Sequence, residues 1–266
     1  MKNLGHALGR LVLLLLLAVL ALQLYFAARI VLMIWIAPQS TSFQRSEIWR
    51  LGVEKHSVAW SQQWVDGSEL PAALKRAVIA SEDAGFAEHG GVDWDALEKA
   101  WERNQREEAR ADKRAQRNQA SSSSKNGGNG GNGGVNLALA RPATKVVGGS
   151  TITQQLAKNL FLSGERNLAR KAQEFVITLM LEATLSKRRI LEIYLNNVEW
   201  GEGVFGAQAA ARHYFRVDAR QLSASQAARL AVMLPAPKRF EKRPASPYVM
   251  SRAATIEARM GGVELP

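Results

Sequence analysis

Glu82 and Asp83 form an adjacent acidic pair at the end of the apolar run Val78-Ile79-Ala80, and Asp83 lies three residues before Phe86 and six before His89. Neighbouring carboxylates repel, which raises the pKa of one of them and suits acid–base chemistry. Ninety-two residues after Glu82 comes Glu174, preceded by Arg170 and Lys171 at the spacing of one helical turn. Between the two acidic segments, Gly148-Gly149-Ser150-Thr151 reads as a helix entry. Ser150 or Thr151 can cap the first free amides, and such a helix start attracts anions. Downstream, Gln154 with Lys158 and Gln155 with Asn159 are four apart, so each pair shares a face. The bland alternatives are a solvated helix face and, for Arg170 with Glu174, a surface ion pair worth tenths of a kcal/mol. In this order, an acidic pair, a helix start and a basic-plus-acidic helix suit chemistry on a sugar whose leaving group is a phosphate.

The elements that must position these residues are helical. Apolar spacing predicts helices over 70–84, 93–106, 151–162, 166–184, 187–197, 203–214, 223–234 and 246–260. No run of strand-like alternation appears, so the predicted fold class is mainly α. One stretch breaks the pattern: a mixed-charge run over 102–119 is followed by SSSSKNGGNGGNGG from Ser121 to Gly134. With no apolar side chain, that tract cannot offset its ordering entropy. We read about 105–147 as a flexible low-complexity insertion inside one domain, since motif-bearing helices flank it on both sides. Its glycines are not a phosphate loop, because no Gly-Lys-Ser/Thr follows. The match of Ser122 and Lys125 to Ser-x-x-Lys is chance, since no Lys-Thr-Gly accompanies it.

The 266 residues carry no cysteine, which excludes disulfides, thiol nucleophiles and cysteine-ligated metals. The four histidines lack zinc-ligand spacing, and the net charge of +11 comes with no nucleic-acid-binding motif. No nucleic-acid partner is expected; the charge fits a phosphate-bearing substrate better. Leu11 to Ala28 is an apolar run interrupted only by Gln23 and Tyr25, close to the ~20 residues that cross a bilayer. It is long for a signal peptide, and Phe26-Ala27-Ala28 is a poor cleavage site, so an uncleaved transmembrane anchor is expected. Lys2 and Arg10 favour a cytoplasmic N-terminus. Residues 1–37 are then tail and anchor, and 38–266 form the domain outside.

These segments together resemble the peptidoglycan glycosyltransferases (glycosyltransferase family 51). Glu82-Asp83-x-x-Phe86-x-x-His89-x-Gly91 resembles their first signature, GGSTITQQLAKNLF the second, RKxxE from Arg170 the third and SKRRILEIYLN the fourth. The likeness is strongest to the monofunctional biosynthetic transglycosylases, which have one anchor and no penicillin-binding domain. The resemblance implies a lysozyme-like glycosyltransferase domain that polymerises lipid II into glycan strands, with inversion and release of undecaprenyl pyrophosphate. It implies Glu82 as general base and Glu174 as the second essential acid, organising the pyrophosphate or holding a divalent cation, Mg²⁺ or Mn²⁺. No organic cofactor is expected. Arg170, Lys171 and Lys158 would neutralise the leaving group. Asp83, Phe86, His89, Ser150, Thr151, Gln154, Gln155 and Asn159 would complete the substrate site. Implied partners are lipid II, the growing strand, the membrane and other cell-wall synthesis or division proteins. The implied location is the bacterial inner membrane, with the catalytic domain periplasmic. The sequence departs from the family in about forty extra residues between the first two signatures, where relatives carry a flap, and in Lys238 after Pro235-Ala236-Pro237. Two competing readings remain: a hydrolytic or lytic muramidase on the same fold, which needs no pyrophosphate cluster, and a non-enzymatic membrane scaffold.

Overall fold

A computed structural model describes residues 2–125, 149–162 and 167–266. The chain forms two compact units, one of residues 1–92 and 151–266 and one of residues 93–150. In chain order the elements are α1 (Lys2–Leu32), α2 (Ser42–Lys55), β1 (Ser61–Gln62), α3 (Ala72–Glu82), α4 (Trp94–Lys125), α5 (Ile152–Phe161), α6 (Leu168–Thr184) and α7 (Lys187–Asn197). They continue with β2 (Glu199–Gly201), β3 (Val204–Phe205), α8 (Gly206–Phe215), α9 (Ala224–Met233), α10 (Pro237–Phe240) and α11 (Pro247–Arg259).

The mainly helical expectation holds, and all eight predicted helices exist, the one over 187–197 with the predicted bounds and the others with one or both ends shifted. Local chemistry explains the boundaries. Thr41, Thr151 and Ser223 each start a helix with a capping box, their side chains and a glutamine three residues on satisfying each other's backbone amides. Asn167, Ser186 and Ser246 cap α6, α7 and α11 by accepting from the amide three residues ahead.

The larger unit is built around one core. Helix α9 packs between α3 and α11, and α5 packs on α6, α7 and α2. Leu74, Val78 and Ile79 of α3, Ile152, Leu156 and Leu160 of α5, and Ile190, Ile193 and Tyr194 of α7 are buried in it. Trp200 is fully buried and donates its indole N–H to the Leu230 carbonyl at 3.0 Å. A small sheet of order β1-β3-β2 was not predicted; its strands are two or three residues long, too short to show a period. β1 runs parallel to β3, and β2 runs antiparallel to it with an irregular register.

Helix α1 is long and apolar enough over Gly5–Leu32 to cross a membrane. Arg29 lies within the last turn of this helix. Its guanidinium lies 5.4 Å from the Phe161 ring centre and bonds the Tyr25 hydroxyl at 3.2 Å, so the charge has partners along the helix side. Beyond Gln23 the helix stops being exposed all round: Phe26, Ile30 and Met33 are buried in the core of the larger unit.

The second unit holds α4, which runs through Lys125 rather than ending near residue 106. Residues 105–125 of the expected flexible insertion are therefore helical, and 126–147 lie outside the described residues. The physical reason is propensity. The run is poor in apolar residues but rich in Ala, Arg, Glu, Gln and Lys, which favour helix without a core. The Glu102–Arg106 and Glu107–Arg110 pairs add small increments along its surface. Asp93 starts the helix by accepting from the Ala96 amide at 2.8 Å.

Gly203 turns the chain between β2 and β3 at φ +73°, and its carbonyl accepts from the Ser61 amide at 2.8 Å. A Cβ there would lie 1.9 Å from the Ala59 carbonyl oxygen, a backbone atom that cannot step aside. Gly203→Ala is expected to destabilise the protein by about 2–3 kcal/mol in thermal unfolding. Gly90→Ala, with nothing within 4 Å of the place its methyl would take, should leave the melting curve unchanged.

Candidate active site

Helix α3 delivers Glu82 as its last residue and Asp83 as its C-cap. The two neighbouring acids then diverge. Asp83 is buried, and each of its oxygens has its own donor. Oδ2 accepts from the Ile152 amide at the start of α5 at 3.0 Å, and Oδ1 faces His89 Nε2 at 2.7 Å. The Gly91 amide donates to His89 Nδ1 at 3.1 Å, so the ring hydrogen sits on Nε2 and is donated to Asp83. Burial pushes the Asp83 pKa above the usual carboxylate range, opposed by the bonds from His89 and Ile152. Nearby, Thr151 Oγ1 donates to the Gly91 carbonyl at 2.6 Å. Gly91 is at φ +87°, and an added Cβ would meet Glu182 and Thr178 of α6 within 2.8 Å. The loop from Glu82 to Gly91 is thereby fixed against α5 and α6.

Glu82 is half-buried beside this tie. Gln155 Nε2 donates to its Oε2 at 2.9 Å. Gln155 is itself oriented by Tyr194 of α7, whose hydroxyl donates to Gln155 Oε1 at 2.9 Å. Full burial and the charges of Glu82 and Asp83 raise the Tyr194 pKa well above its ordinary value, so it remains a donor. Burial raises the Glu82 pKa, the bonds from Gln155 and Ser81 oppose that, and the Asp83 charge adds to it. A half-buried carboxyl of raised pKa, held only by the neutral donors Gln155 and Ser81, is suited to accept a proton from a substrate hydroxyl.

The second acid sits in a different setting. Glu174 of α6 is 3% exposed. Arg170 Nη1 holds its Oε2 at 2.8 Å and Lys171 Nζ holds its Oε1. Arg170 Nε is buried and unpaired. Two cations around one buried carboxylate leave a net positive charge, suited to an anionic group rather than to a metal. Both Glu174 oxygens are engaged by cations, so a divalent cation bound there would have to compete with Arg170 and Lys171.

The other expected site residues divide by task. Thr151 and Gln154 form the α5 capping box, and both are buried. Phe86 is fully buried in the core, with Lys187 Nζ 4.5 Å above its ring, so it packs rather than faces a ligand. Asn159 is buried on α5, and Lys158 is exposed one turn beyond Gln155. Ser150 is exposed at the edge of the smaller unit. Sequence reasoning missed Tyr194 and Lys187. Both lie in the SKRRILEIYLN segment, but nothing in its spacing tells a buried tyrosine that orients a glutamine from one that only packs.

A family sequence profile described as transglycosylase matches residues 52–114 and 134–261. The chain belongs to the transglycosylase family. The chain is 48% identical over 248 residues to a biosynthetic peptidoglycan transglycosylase of Burkholderia thailandensis, covering 93% of this chain and 83% of the relative. It is 47% identical to one of Herminiimonas arsenicoxydans over the full length of both. A third, from Paraburkholderia xenovorans, is 44% identical over 93% of this chain and 88% of the relative. The profile takes in the Glu82 and Asp83 segment, the α5 entry, the Glu174 cluster and Tyr194.

The Gln155 amide stabilises the ionised form of Glu82, so removing it should raise the Glu82 pKa further. A general base works only when deprotonated. Gln155→Leu should therefore move the acidic limb of the pH–rate profile for transglycosylation to higher pH. An unmoved limb would contradict the contact's role.

Proposed function

We infer that the chain is a peptidoglycan glycosyltransferase that polymerises lipid II into linear glycan strands and releases undecaprenyl pyrophosphate. The single observation that carries the reading is a half-buried Glu82 of raised pKa, held by Gln155, on the same framework as the buried Glu174 with its two cations Arg170 and Lys171. Glu82 takes the proton from the acceptor's sugar 4-hydroxyl as its oxygen attacks C1 of the donor from the face opposite the leaving group. The C1–oxygen bond to pyrophosphate breaks, and the configuration inverts. Negative charge grows on the departing pyrophosphate, which Arg170 and Lys171 neutralise, with Lys158 contributing from α5. Preorganised charge of this kind is commonly the largest single contribution to such a barrier. Glu174 holds Arg170 and Lys171 in place, so the two cations are aimed before substrate arrives. No step is assigned to a metal ion.

Helix α1 serves as a single-pass anchor in the inner membrane, with the catalytic domain on the periplasmic side. This reading is supported by the length and apolar character of Gly5–Leu32 and by the lipid-linked nature of the donor. A hydrolytic or lytic muramidase would also place a glutamate at its cleft, but it has no pyrophosphate leaving group to neutralise. It would have no use for a buried, cation-wrapped carboxylate like Glu174.

Purified full-length protein with labelled lipid II tests the proposal directly. Wild type is expected to yield long glycan. Glu82→Gln, isosteric but unable to accept a proton, should fold normally and lose about 10²–10⁴ in rate. Normal glycan output from the folded variant would overturn the assignment of the base.

A further inference from the structure

Gln23 is a polar residue inside an otherwise apolar helix, and the proposed chemistry gives it no part. It does not face outward unpaired. Gln23 Nε2 donates to Gln173 Oε1 at 2.9 Å, and Gln173 Nε2 donates back to Gln23 Oε1 at 3.0 Å. Gln23 begins the stripe at helical spacing, with Phe26, Ile30 and Met33, by which α1 leaves an exposed environment and joins the core. Further along, the Phe26 and Phe161 rings meet edge-on with centres 5.3 Å apart, and Arg189 Nε donates to the Met33 carbonyl at 2.9 Å. The anchor is thus bound at several heights, and the amide pair is the contact nearest its apolar end.

The partner residue is informative. Gln173 precedes Glu174 and lies on the helix that carries Arg170 and Lys171. The outward face of α6 is apolar: Leu168, Ala172, Val176, Leu179 and Ala183 are all exposed, whereas Glu174 and Thr178 are buried. Lys171 near its start is the charged residue exposed on this helix, and from Val176 onward its exposed side chains are apolar, so that face alone does little to fix its height at a water–lipid boundary. A two-way amide bond to the anchor supplies that register, because shifting α6 along α1 would leave two amides unpaired beside apolar chains.

We propose that the Gln23–Gln173 pair is a positioning device that sets the depth of the Arg170–Lys171–Glu174 cluster relative to the anchor, and so to the surface where a lipid-linked pyrophosphate emerges. The proposal rests on the glycosyltransferase reading above. The pair acts through α6 and touches no reacting atom.

The test uses full-length enzyme in phospholipid vesicles with two donors: one with a long polyprenyl chain held in the bilayer, and a water-soluble analogue with a short prenyl chain. Gln23→Leu and Gln173→Leu should each raise KM for the bilayer-held donor roughly threefold to tenfold. In both, kcat should stay within about twofold and the melting temperature should stay close to wild type. The short-chain donor is not held at one depth, so its KM should not move. The double Leu variant leaves no unpaired amide. It should melt like wild type yet keep the raised KM, which separates lost register from lost folding. An equal KM rise on both donors, no rise on either, or full recovery of KM in the double variant would overturn the proposal. Failure of the wild type to polymerise either donor would instead overturn the glycosyltransferase reading on which it rests.

Discussion

The Asp83 carboxylate accepts two hydrogen bonds from two different parts of the chain, and the geometry of Glu82 depends on both. One donor is the Ile152 amide that opens α5, and the other is His89 in the loop that follows α3. The first fixes the end of α3 to the start of α5, and so the distance from Glu82 to Gln155. The second fixes the loop, whose Gly91 carbonyl then takes the Thr151 hydroxyl. A neutral side chain cannot replace the carboxylate here, because both neighbours are donors and only a carboxylate offers an acceptor on each arm. The same burial that makes this tie worth having raises the pKa of both acids. The adjacent residues therefore do separate work: Asp83 is enclosed and structural, while Glu82 is half open with neutral donors only.

The division of charge across the larger unit follows from this framework. Near Glu82 the hydrogen-bonding neighbours are neutral, Gln155 and behind it Tyr194, and the nearby charge is the like charge of Asp83, so a proton can be gained without disrupting an ion pair. Near Glu174 the neighbours are cations, so that acid stays committed to holding them. One end of the chemistry needs a group whose charge changes, and the other needs charges that stay put. The fold supplies them from α3, tied to α5 by hydrogen bonds, and from α6, packed against α5. Anchoring the second of these helices to α1 connects this arrangement to the place where a lipid-linked donor must be met.

Much of this was legible in the sequence. The helices showed because their apolar residues recur at helical spacing, and the caps at Thr151, Asn167, Ser186 and Ser223 sit where serine, threonine and asparagine are expected. Glu82, Glu174, Arg170 and Lys171 stood out by type and spacing. The tasks of Gln154 and Phe86 did not, since capping a helix, filling a core and binding a substrate use the same residue types. Helix α2 was missed although Thr41 and Gln44 form its capping box, because its apolar residues lack a clear stripe. The extension of α4 was missed because absence of apolar residues was read as absence of structure, when alanine-rich charged sequence can be helical on propensity alone. Tyr194 depends on contacts between α7 and α5 that no local pattern reports.

The most direct test of the central constraint is the polymerisation rate of Asp83→Asn, measured beside its melting temperature. Asparagine keeps one acceptor and turns its amide toward the other donor, so either Ile152 or His89 is left facing an N–H. The account predicts a folded protein with a lowered melting temperature and a rate reduced by at least about tenfold, the scale of one unsatisfied buried donor. A variant that melts and polymerises like wild type would contradict it, and would place the alignment of Glu82 in some other contact.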